Sequence, residues 1–294
     1  MRPQVPEGAA VTPVEAAGLH RFSHEAMATV FEVHCAHPDA RYARQAADAA
    51  FSLVDRLERE LSRFIGNSDV SRINGLSAGQ ATRVSPSTLE CLVVARRMHE
   101  ITGGAFDVSL GSGLGALELD PDDFTVHALR TGVRVDLGGI GKGHAVDRAA
   151  ELLAEDWGIE QVLVHGGWSS VLALSPPPDA EGWTLTLTSP ASGERVARPC
   201  ARHQAFSASG ARKGGHIRDP RTGRPALGRA AWVALPRAGE GREDAGAVAE
   251  ALSTAFMVLS EQEIAALHGR WPGLEAWLVL SRDGGETGVL HLPA

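Results

Sequence analysis

Apolar residues recur along the chain with two different spacings, and these spacings predict helices alternating with strands. Between residues 38 and 61 the apolar side chains stand three and four positions apart, at Ala47, Ala50, Val54, Leu57 and Leu61. That spacing puts them on one face of a helix, with charged residues on the other faces. We therefore predict a long amphipathic helix that Pro38 opens and that serves as scaffold.

Three further segments carry helix signals. Ser85 followed by Pro86 is typical of a helix start, and the glycine pair at 103–104 is typical of a helix end. Residues 145–153 and 245–259 show apolar spacing that suits one face of a helix. The chain is thus expected to contain at least four helices, spread from its first third to its last.

Shorter apolar or alternating runs predict strands between these helices. They are residues 22–35, 162–164, 171–174, 183–188, 206–210, 276–281 and 288–292. Several follow one another closely enough to form antiparallel hairpins, and the run at 183–188 is expected to continue a meander begun by 162–164 and 171–174. This order predicts an α+β fold with largely antiparallel sheets and flanking helices.

The domain organisation follows from the same pattern. Residues 1–18 are rich in Pro, Ala and Glu and lack periodicity, so we expect a flexible N-terminal tail. Residues 19–294 then form a single domain, built from two intertwined subdomains that divide near residue 130, with a site between them.

Composition narrows the classes of function. The chain has 294 residues, of which 44% are hydrophobic, so it can bury a sizeable core. Its net charge of −8 lacks the basic footprint of a nucleic-acid-binding protein. Cys35, Cys91 and Cys200 are widely spaced and form no CxxC pair, so we expect small buried side chains and no zinc or thiol-exchange motif.

Targeting signals are also missing from the sequence. No apolar run reaches the roughly 18 residues of a membrane-spanning helix, and the first residues lack the hydrophobic segment of a signal peptide. We expect no transmembrane segment and a cytoplasmic location, with a periplasmic location only if a leader has been removed.

The most informative stretch is 135–147, VDLGGIGKGHAVD. Glycines at 138, 139, 141 and 143 lie between a β-branched run and a predicted helix, which predicts a strand, a bare-backbone turn and a helix. Such a turn lets amides at a helix N-terminus approach a phosphate. The spacing matches neither the Walker A loop nor the dinucleotide fingerprint. The alternative interpretation is a turn that serves only tight packing.

Lysine usage supports the phosphate hypothesis. Of 28 basic residues only two are lysines, Lys142 and Lys213, and both lie in glycine-rich turns. Where arginine fills nearly every other basic position, a lysine indicates a need for a compact point charge, as at a phosphate. The alternative is chance placement in loops.

Two other segments carry candidate chemistry. Glu250 and Thr254 stand four apart on the last predicted helix, with Ser253 beside them, and such oxygen donors suit Mg²⁺ or Ca²⁺. A core threonine and a solvated glutamate are the alternative. Phe106 and Asp107, just after a helix end, could hold a ligand ring and a polar group, or Asp107 could be a cap.

Taken in order, these motifs resemble a known family. The segments are MAT at 27–29, LSRF and SDVSRIN at 61–74, GGAFDVSLG, DLGGIGKGHAVD, HGGW, FSASG, HIRDPRTGRP and AEALSTAFMVL. Together they resemble the FAD:protein FMN transferases, the ApbE family, with its T-fold-like α+β architecture. The resemblance implies Mg²⁺-dependent cleavage of the FAD pyrophosphate, transfer of FMN onto a threonine hydroxyl of a partner flavoprotein, and release of AMP.

The resemblance also implies roles for particular residues. The metal would be held by the Gly139 carbonyl, Glu250, Ser253 and Thr254. FAD would be contacted by Met27, Phe64, Ala105, Phe106, Asp107, Asp136, Lys142 and Ile217. His216 is the candidate catalytic base for the acceptor threonine, because histidine is readily poised to take a proton near neutral pH; a structural loop histidine is the alternative.

The sequence departs from the family pattern at several positions. Ala28 stands in place of a glycine, which matters where a ligand crowds the backbone. Glu250 replaces an aspartate and moves the carboxylate by about 1 Å, which Mg²⁺ tolerates badly. Arg218 replaces an apolar residue, and the segments 110–134 and 209–216 are short. An FAD pyrophosphatase that yields FMN and AMP, or a non-catalytic FAD-binding protein, are therefore alternatives.

The acceptor is expected to be a different protein. The family's acceptor pattern, an aspartate followed by Ser or Thr, a small residue and the modified threonine, is not found in this sequence. FAD would thus be a substrate, Mg²⁺ a cofactor, and a separate flavoprotein the partner.

Overall fold

The computed structural model describes residues 10–11, 18–189, 193–210, 217–226, 229–237, 244–281 and 287–294. The helices are α1 (Ala40–Leu61), α2 (Asp69–Asn74), α3 (Pro86–Ile101), α4 (Gly141–Glu155), α5 (Ala245–Phe256) and α6 (Glu261–His268). The first strands are β1 (Ala10–Val11), β2 (Leu19–Ala26), β3 (Thr29–Ala36), β4 (Ala81–Arg83), β5 (Leu117–Asp120), β6 (Thr125–Ala128), β7 (Val162–Gly166) and β8 (Ser170–Ala173). The others are β9 (Trp183–Thr188), β10 (Arg195–Ala197), β11 (Cys200–Ala201), β12 (Gln204–Gly210), β13 (Arg229–Pro236), β14 (Glu275–Ser281) and β15 (Thr287–Leu292).

An eight-stranded sheet organises the molecule. Its order is β15-β14-β13-β12-β8-β7-β3-β2, and every strand pairing among the described residues is antiparallel. Helices α1, α4 and α5 pack against one face of this sheet and enclose the main hydrophobic core. The predicted α+β class is confirmed, whereas the tail, the single domain and the division near residue 130 stay predictions.

The predicted helices form where the caps and apolar stripes place them. All five apolar residues predicted for α1 are buried, and the helix begins at Ala40 because the Asp39 side chain accepts hydrogen bonds from the amides of Arg41 and Tyr42. Ser85 caps α3 by accepting from the Thr88 amide. None of the described helices is long and apolar enough to cross a membrane.

The segment predicted as one strand over 22–35 is instead the β2–β3 hairpin. Its two-residue turn consists of Met27 and Ala28, with φ of 51° and 57°. Left-handed values at both central positions characterise the type I′ turn, whose twist matches that of the strands. The prediction was wrong because neither residue is a usual turn former. Ala28 therefore occupies a backbone conformation that favours glycine, whether or not a ligand crowds it.

The predicted meander also ends earlier than expected. After β8 the chain leaves the main sheet, and β9 pairs with β1, β10 and β11 in a smaller sheet. Trp183 on β9 packs with Phe206 and Trp232 in a second hydrophobic cluster on the other face of the main sheet. The alternating pattern of β9 predicts which of its side chains are buried, but it does not indicate which sheet the strand joins. On this small sheet Cys200 is exposed, unlike the buried Cys35 and Cys91.

The strand predicted before the glycine-rich turn is absent from the described fold. The backbone at 133–137 bonds to a side chain instead: the Val135 amide donates to Asn74 Oδ1 at 2.6 Å, and the Val135 carbonyl accepts from Asn74 Nδ2 at 2.9 Å. The Asp136 amide donates to the Val108 carbonyl at 2.8 Å. These bonds satisfy the extended backbone without a partner strand.

Two glycines bring α4 and α5 into backbone contact. A Cβ placed on Gly143 would lie 2.2 Å from the Gly246 carbonyl oxygen, so any side chain there would separate the helices. Asp147 on α4 joins them further by accepting from the amides of Gly246 and Ala247 at 2.8 and 2.9 Å. Burial raises the pKa of Asp147 to about 7, although these two hydrogen bonds oppose the rise.

Candidate active site

A cavity of about 220 Å³ opens where α1 ends and α4 begins. Four of the residues predicted to contact FAD line it: Met27, Phe64, Asp136 and Lys142. The glycine-rich turn contributes Gly138 and Gly141 to the same wall. The tertiary structure therefore brings together residues that are up to 115 positions apart in the sequence.

One wall of the cavity combines an aromatic ring with an ion pair. The Phe64 side chain is 81% exposed, and the Arg63 guanidinium lies 4.3 Å from the centre of its ring. Arg63 Nε is 2.9 Å from Asp136 Oδ2. Asp136 Oδ1 in turn accepts from the Gly138 amide at 3.0 Å. An exposed aromatic face beside a guanidinium suits a planar ring that carries an anionic group. Arg63 is a residue that sequence reasoning missed, although it lies in the LSRF motif.

The N-terminus of α4 also lines the cavity, through Gly141 and Lys142. Its N-cap residue is Ile140, whose aliphatic side chain cannot accept hydrogen bonds from the first-turn amides. The helix dipole leaves partial positive charge at this end, and the Lys142 side chain adds a full charge. The turn therefore has the electrostatics of an anion site, as the phosphate hypothesis requires.

Glu250 on α5 lies directly against this helix end. Its carboxylate is buried, and it forms an ion pair through Oε1 with the Lys142 ammonium. Its second oxygen, Oε2, accepts from the Gly143 amide at 2.6 Å. The solvated glutamate that was the alternative interpretation is thereby excluded.

Hydroxyl groups gather one turn further along α5. Ser209 Oγ, on β12, lies 3.0 Å from Ser253 Oγ and 3.2 Å from Thr254 Oγ1. Ser253 also donates to the Glu250 carbonyl at 3.0 Å. A Cβ placed on Gly139 would lie 3.5 Å from Thr254 Oγ1 and 3.4 Å from the Phe106 ring. The four residues predicted to hold a metal are thus adjacent.

Ser209 is a second residue that sequence reasoning missed. It lies on the same face of β12 as Ser207, whose hydroxyl is 3.5 Å from Ser253 Oγ. The alternation of serines in FSASG could have indicated a polar face directed towards α5.

These donors fit a hard divalent cation in chemical type. A carboxylate, hydroxyls and a backbone carbonyl are the oxygen ligands that Mg²⁺ and Ca²⁺ prefer. No group of three or more His, Cys, Asp or Glu with metal-ligand geometry occurs in the described part of the chain, so the site would depend on Glu250 for its carboxylate. Lys142 and Gly143 already contact that carboxylate. The metal assignment accordingly remains a proposal.

Phe106 and Asp107 have different roles in the segment 105–107. The Phe106 ring lies next to Gly139, and the Phe106 amide donates to Thr102 Oγ1 at 3.0 Å. Asp107 instead organises its own loop: Oδ1 accepts from the Ser109 amide at 2.8 Å and Oδ2 from the Gly111 amide at 2.9 Å. Asp107 thus stabilises a turn and caps no helix, since no helix begins among the described residues directly after it, and the FAD contacts of Ala105, Phe106 and Asp107 stay predictions.

The loop of the predicted catalytic base is described only from Ile217 onward. His216 and Lys213 lie outside the described residues, so the role of His216 stays a prediction. Ile217 packs partly buried against the main core. Asp219 pairs with Arg221 at 2.9 Å, and Arg221 reaches Glu263 on α6 at 2.9 Å, which fixes the C-terminal side of the loop.

Known proteins share both this sequence and this architecture. The sequence profile of the ApbE family matches residues 27–278. The chain is similar to the FAD:protein FMN transferase of Vibrio cholerae, with 27% identity over 71% of this chain and 72% of that protein. It is also similar to the FAD:protein FMN transferase of Treponema pallidum, with 26% identity over 80% of this chain and 76% of that protein.

Solved structures agree with the fold. The flavinyl transferase ApbE of Pseudomonas stutzeri, in its apo form, superposes with a TM-score of 0.78 at 22% identity, over 93% of this chain and 94% of that one. The ApbE protein of Thermotoga maritima gives a TM-score of 0.78 at 22% identity, over 92% and 96%. The expected ApbE-like architecture is confirmed, and with the profile match over most of its length, the chain belongs to the ApbE family.

Proposed function

We propose that this protein transfers FMN from FAD to a threonine hydroxyl of a partner flavoprotein in a Mg²⁺-dependent reaction that releases AMP. The names of the two relatives support the transfer of FMN from FAD to protein. The observation that carries the proposal is the position of the glycine-rich turn, with Gly138, Gly141 and Lys142 on the cavity wall and Gly139 next to Thr254.

The cavity residues suit the two halves of FAD. A pyrophosphate requires positive charge and close-approaching backbone, and the N-terminus of α4 with Lys142 supplies both. Phe64 offers an exposed ring on which an aromatic base or flavin can stack, and Arg63 places a second cation beside it. These side chains bind and orient the substrate, which lowers the entropic cost of reaching the reactive geometry.

Gly139, Glu250, Ser253 and Thr254 would hold the Mg²⁺. When bound, the cation supplies charge neutralisation at the pyrophosphate oxygens. Ser209 positions the hydroxyls of Ser253 and Thr254 through hydrogen bonds of 3.0 and 3.2 Å. Gly143 positions the Glu250 carboxylate from the backbone, at 2.6 Å.

The proposed reaction is a substitution at phosphorus. The threonine oxygen of the partner forms a bond to the FMN phosphorus, and the bond from that phosphorus to the bridging oxygen breaks. The bridging oxygen leaves with AMP, and His216 accepts the threonine proton. In this reaction Lys142 and the first-turn amides of α4 would stabilise charge on the departing phosphate.

The experiment is to incubate the protein with FAD, Mg²⁺ and a peptide that carries the family's acceptor pattern, followed by mass spectrometry. We expect a peptide mass increased by FMN less one water, together with AMP. The matched peptide with alanine at the target position should stay unmodified. FMN and AMP without an adduct would indicate a pyrophosphatase, and neither product would indicate a flavin-binding protein.

A variant of the carboxylate tests the metal assignment. Glu250→Gln keeps the side-chain length but removes the charge that a cation requires, so we expect about a 100-fold loss of Mg²⁺-dependent transfer. Unchanged transfer by Glu250→Gln would exclude Glu250 as a metal ligand.

A further inference from the structure

Lys142 belongs to two neighbouring parts of the proposed site at once. Its side chain lines the cavity that would take the pyrophosphate, and its ammonium pairs with Glu250, which supplies the carboxylate of the proposed cation site. Arg63 behaves in a similar way, because it lies on the same cavity wall and pairs with Asp136 at 2.9 Å. In the described part of the cavity wall, both cationic side chains are thus neutralised by carboxylates.

We propose that Lys142 competes with the divalent cation for Glu250, and that the phosphates of FAD relieve this competition by drawing the ammonium away. The inference rests on the proposed function. Its consequence is coupled binding, in which the protein holds a divalent cation weakly until FAD occupies the cavity.

The competition follows from charge. The Glu250 carboxylate is buried, and the Lys142 ammonium balances its charge. A divalent cation that approached the same carboxylate would meet the ammonium at close range and be repelled. The ion pair therefore lowers the affinity for the cation as long as Lys142 stays at Glu250.

Of the two groups among the described residues that contact the Glu250 carboxylate, one is free to leave. The Gly143 amide is part of α4, which is in backbone contact with Gly246 on α5, so its position is fixed. Lys142 carries its charge on a flexible four-carbon stem, and its side chain is 24% exposed. Rotation of that stem can move the ammonium into the cavity, where the phosphates would bind.

The exchange conserves favourable charge contacts. When Lys142 moves to a phosphate, it gains a new anionic partner, and Glu250 gains the cation in its place. Each ligand then makes the binding of the other more favourable, and the coupling is reciprocal by thermodynamic linkage.

The first experiment measures Mn²⁺ binding to the full chain without flavin, from the electron paramagnetic resonance signal of free Mn²⁺. We expect Lys142→Met to bind Mn²⁺ about tenfold more tightly than the unsubstituted protein, a coupling of ordinary size. Lys142→Gln keeps a hydrogen-bond donor for Glu250 and should also bind more tightly, which covers the case in which Lys142→Met folds poorly.

Arg41→Met is the matched control. It removes one positive charge from the exposed first turn of α1, roughly 25 Å along the helix from Glu58 at the cavity. Its Mn²⁺ affinity should equal that of the unsubstituted protein. Equal or weaker Mn²⁺ binding by both Lys142 variants would overturn the inference.

A second experiment follows the ammonium itself. The chain has only two lysines, so ¹³C-methylation, which keeps their charge, gives two lysine NMR signals beside that of the N-terminal amine, and Lys213→Arg identifies the signal of Lys142. Addition of FAD in the presence of a chelator should shift the Lys142 signal before any cation is present. A Lys142 signal that FAD leaves unchanged would contradict the exchange.

These outcomes are separable from those of the proposed function. An adduct formed by the unsubstituted protein, with unchanged Mn²⁺ affinity in the Lys142 variants, would leave the transferase standing and remove the competition. Tighter Mn²⁺ binding by those variants, without any adduct, would leave the competition standing and remove the transferase.

Discussion

Gly143 and Gly246 meet backbone to backbone where α4 crosses α5. A Cβ on Gly143 would lie 2.2 Å from the Gly246 carbonyl oxygen, and a Cβ on Gly246 would lie 2.7 Å from the Gly143 carbonyl oxygen. This close crossing sets the Gly143 amide at 2.6 Å from Glu250 Oε2. The glycine at 143 thus positions the site through helix packing, in addition to any contact with a phosphate.

Gly143→Ala should destabilise the protein by about 3 kcal/mol, because the methyl group forces two packed backbones apart. The measurement is the urea midpoint of unfolding. Gly115→Ala is the control, since a Cβ there meets nothing within 4 Å, and its effect should stay within about 0.5 kcal/mol. Equal midpoints for the two variants would contradict the close crossing.

Thr254→Ala should lower Mg²⁺-dependent turnover more than it lowers FAD affinity. The hydroxyl is next to Gly139 and bonds with Ser209, on the side of the turn assigned to the cation. We expect kcat to fall roughly 100-fold, equivalent to about 3 kcal/mol of transition-state stabilisation. Flavin fluorescence gives the FAD affinity. Thr254→Ser keeps the hydroxyl and should retain most turnover, whereas full activity of Thr254→Ala would remove this residue from the cation site.

Ala28→Gly should stabilise the protein by about 1 kcal/mol. Ala28 has φ of 57° in the β2–β3 turn, and the left-handed region costs a residue with a Cβ roughly 1 to 2 kcal/mol. Thermal unfolding measures the change. Ala26→Gly, in the adjoining strand, is the matched control and should destabilise, because glycine weakens strand interiors. A loss of stability in Ala28→Gly would show that the turn is not strained.

Glu32 should make stability depend on pH in the acid range. Burial alone would raise its pKa, but hydrogen bonds from His34 and Arg21 outweigh burial and lower the pKa from 4.5 to about 2. The Glu32 carboxyl therefore binds its proton less tightly in the folded state than in the unfolded state. The resulting stability, about 3 kcal/mol, is present above the unfolded pKa and is lost as pH falls from about 4.5 to about 2.

Glu32→Gln removes this titration and keeps the shape of the side chain. Its urea midpoint should be lower than that of the unsubstituted protein near neutral pH, and the difference should shrink as pH falls through the same range. A difference that stays constant with pH would mean that Glu32 does not titrate differently in the two states.

Local sequence determined the helices and most strands. These elements depend on residues within a few positions of one another, so the sequence predicts them directly. Examples are the apolar stripe of α1, the Ser85 cap of α3 and the glycine-rich start of α4. The motifs also determined the family, because their residues and their order along the chain can be read without the fold.

The tertiary structure alone decided what depends on contacts between distant residues. The bonding of Val135 to Asn74 and the departure of β9 from the main sheet each replace a sequence expectation, because partners far along the chain satisfy the backbone. The turn at Met27 and Ala28 also replaces one, because the pairing of β2 with β3 holds two residues that are not usual turn formers at left-handed φ. The same holds for Lys142 and Glu250, which are 108 positions apart. The sequence could place Lys142 in a glycine-rich turn and Glu250 on a helix. Only the close crossing of α4 and α5 at Gly143 and Gly246 makes the two side chains partners.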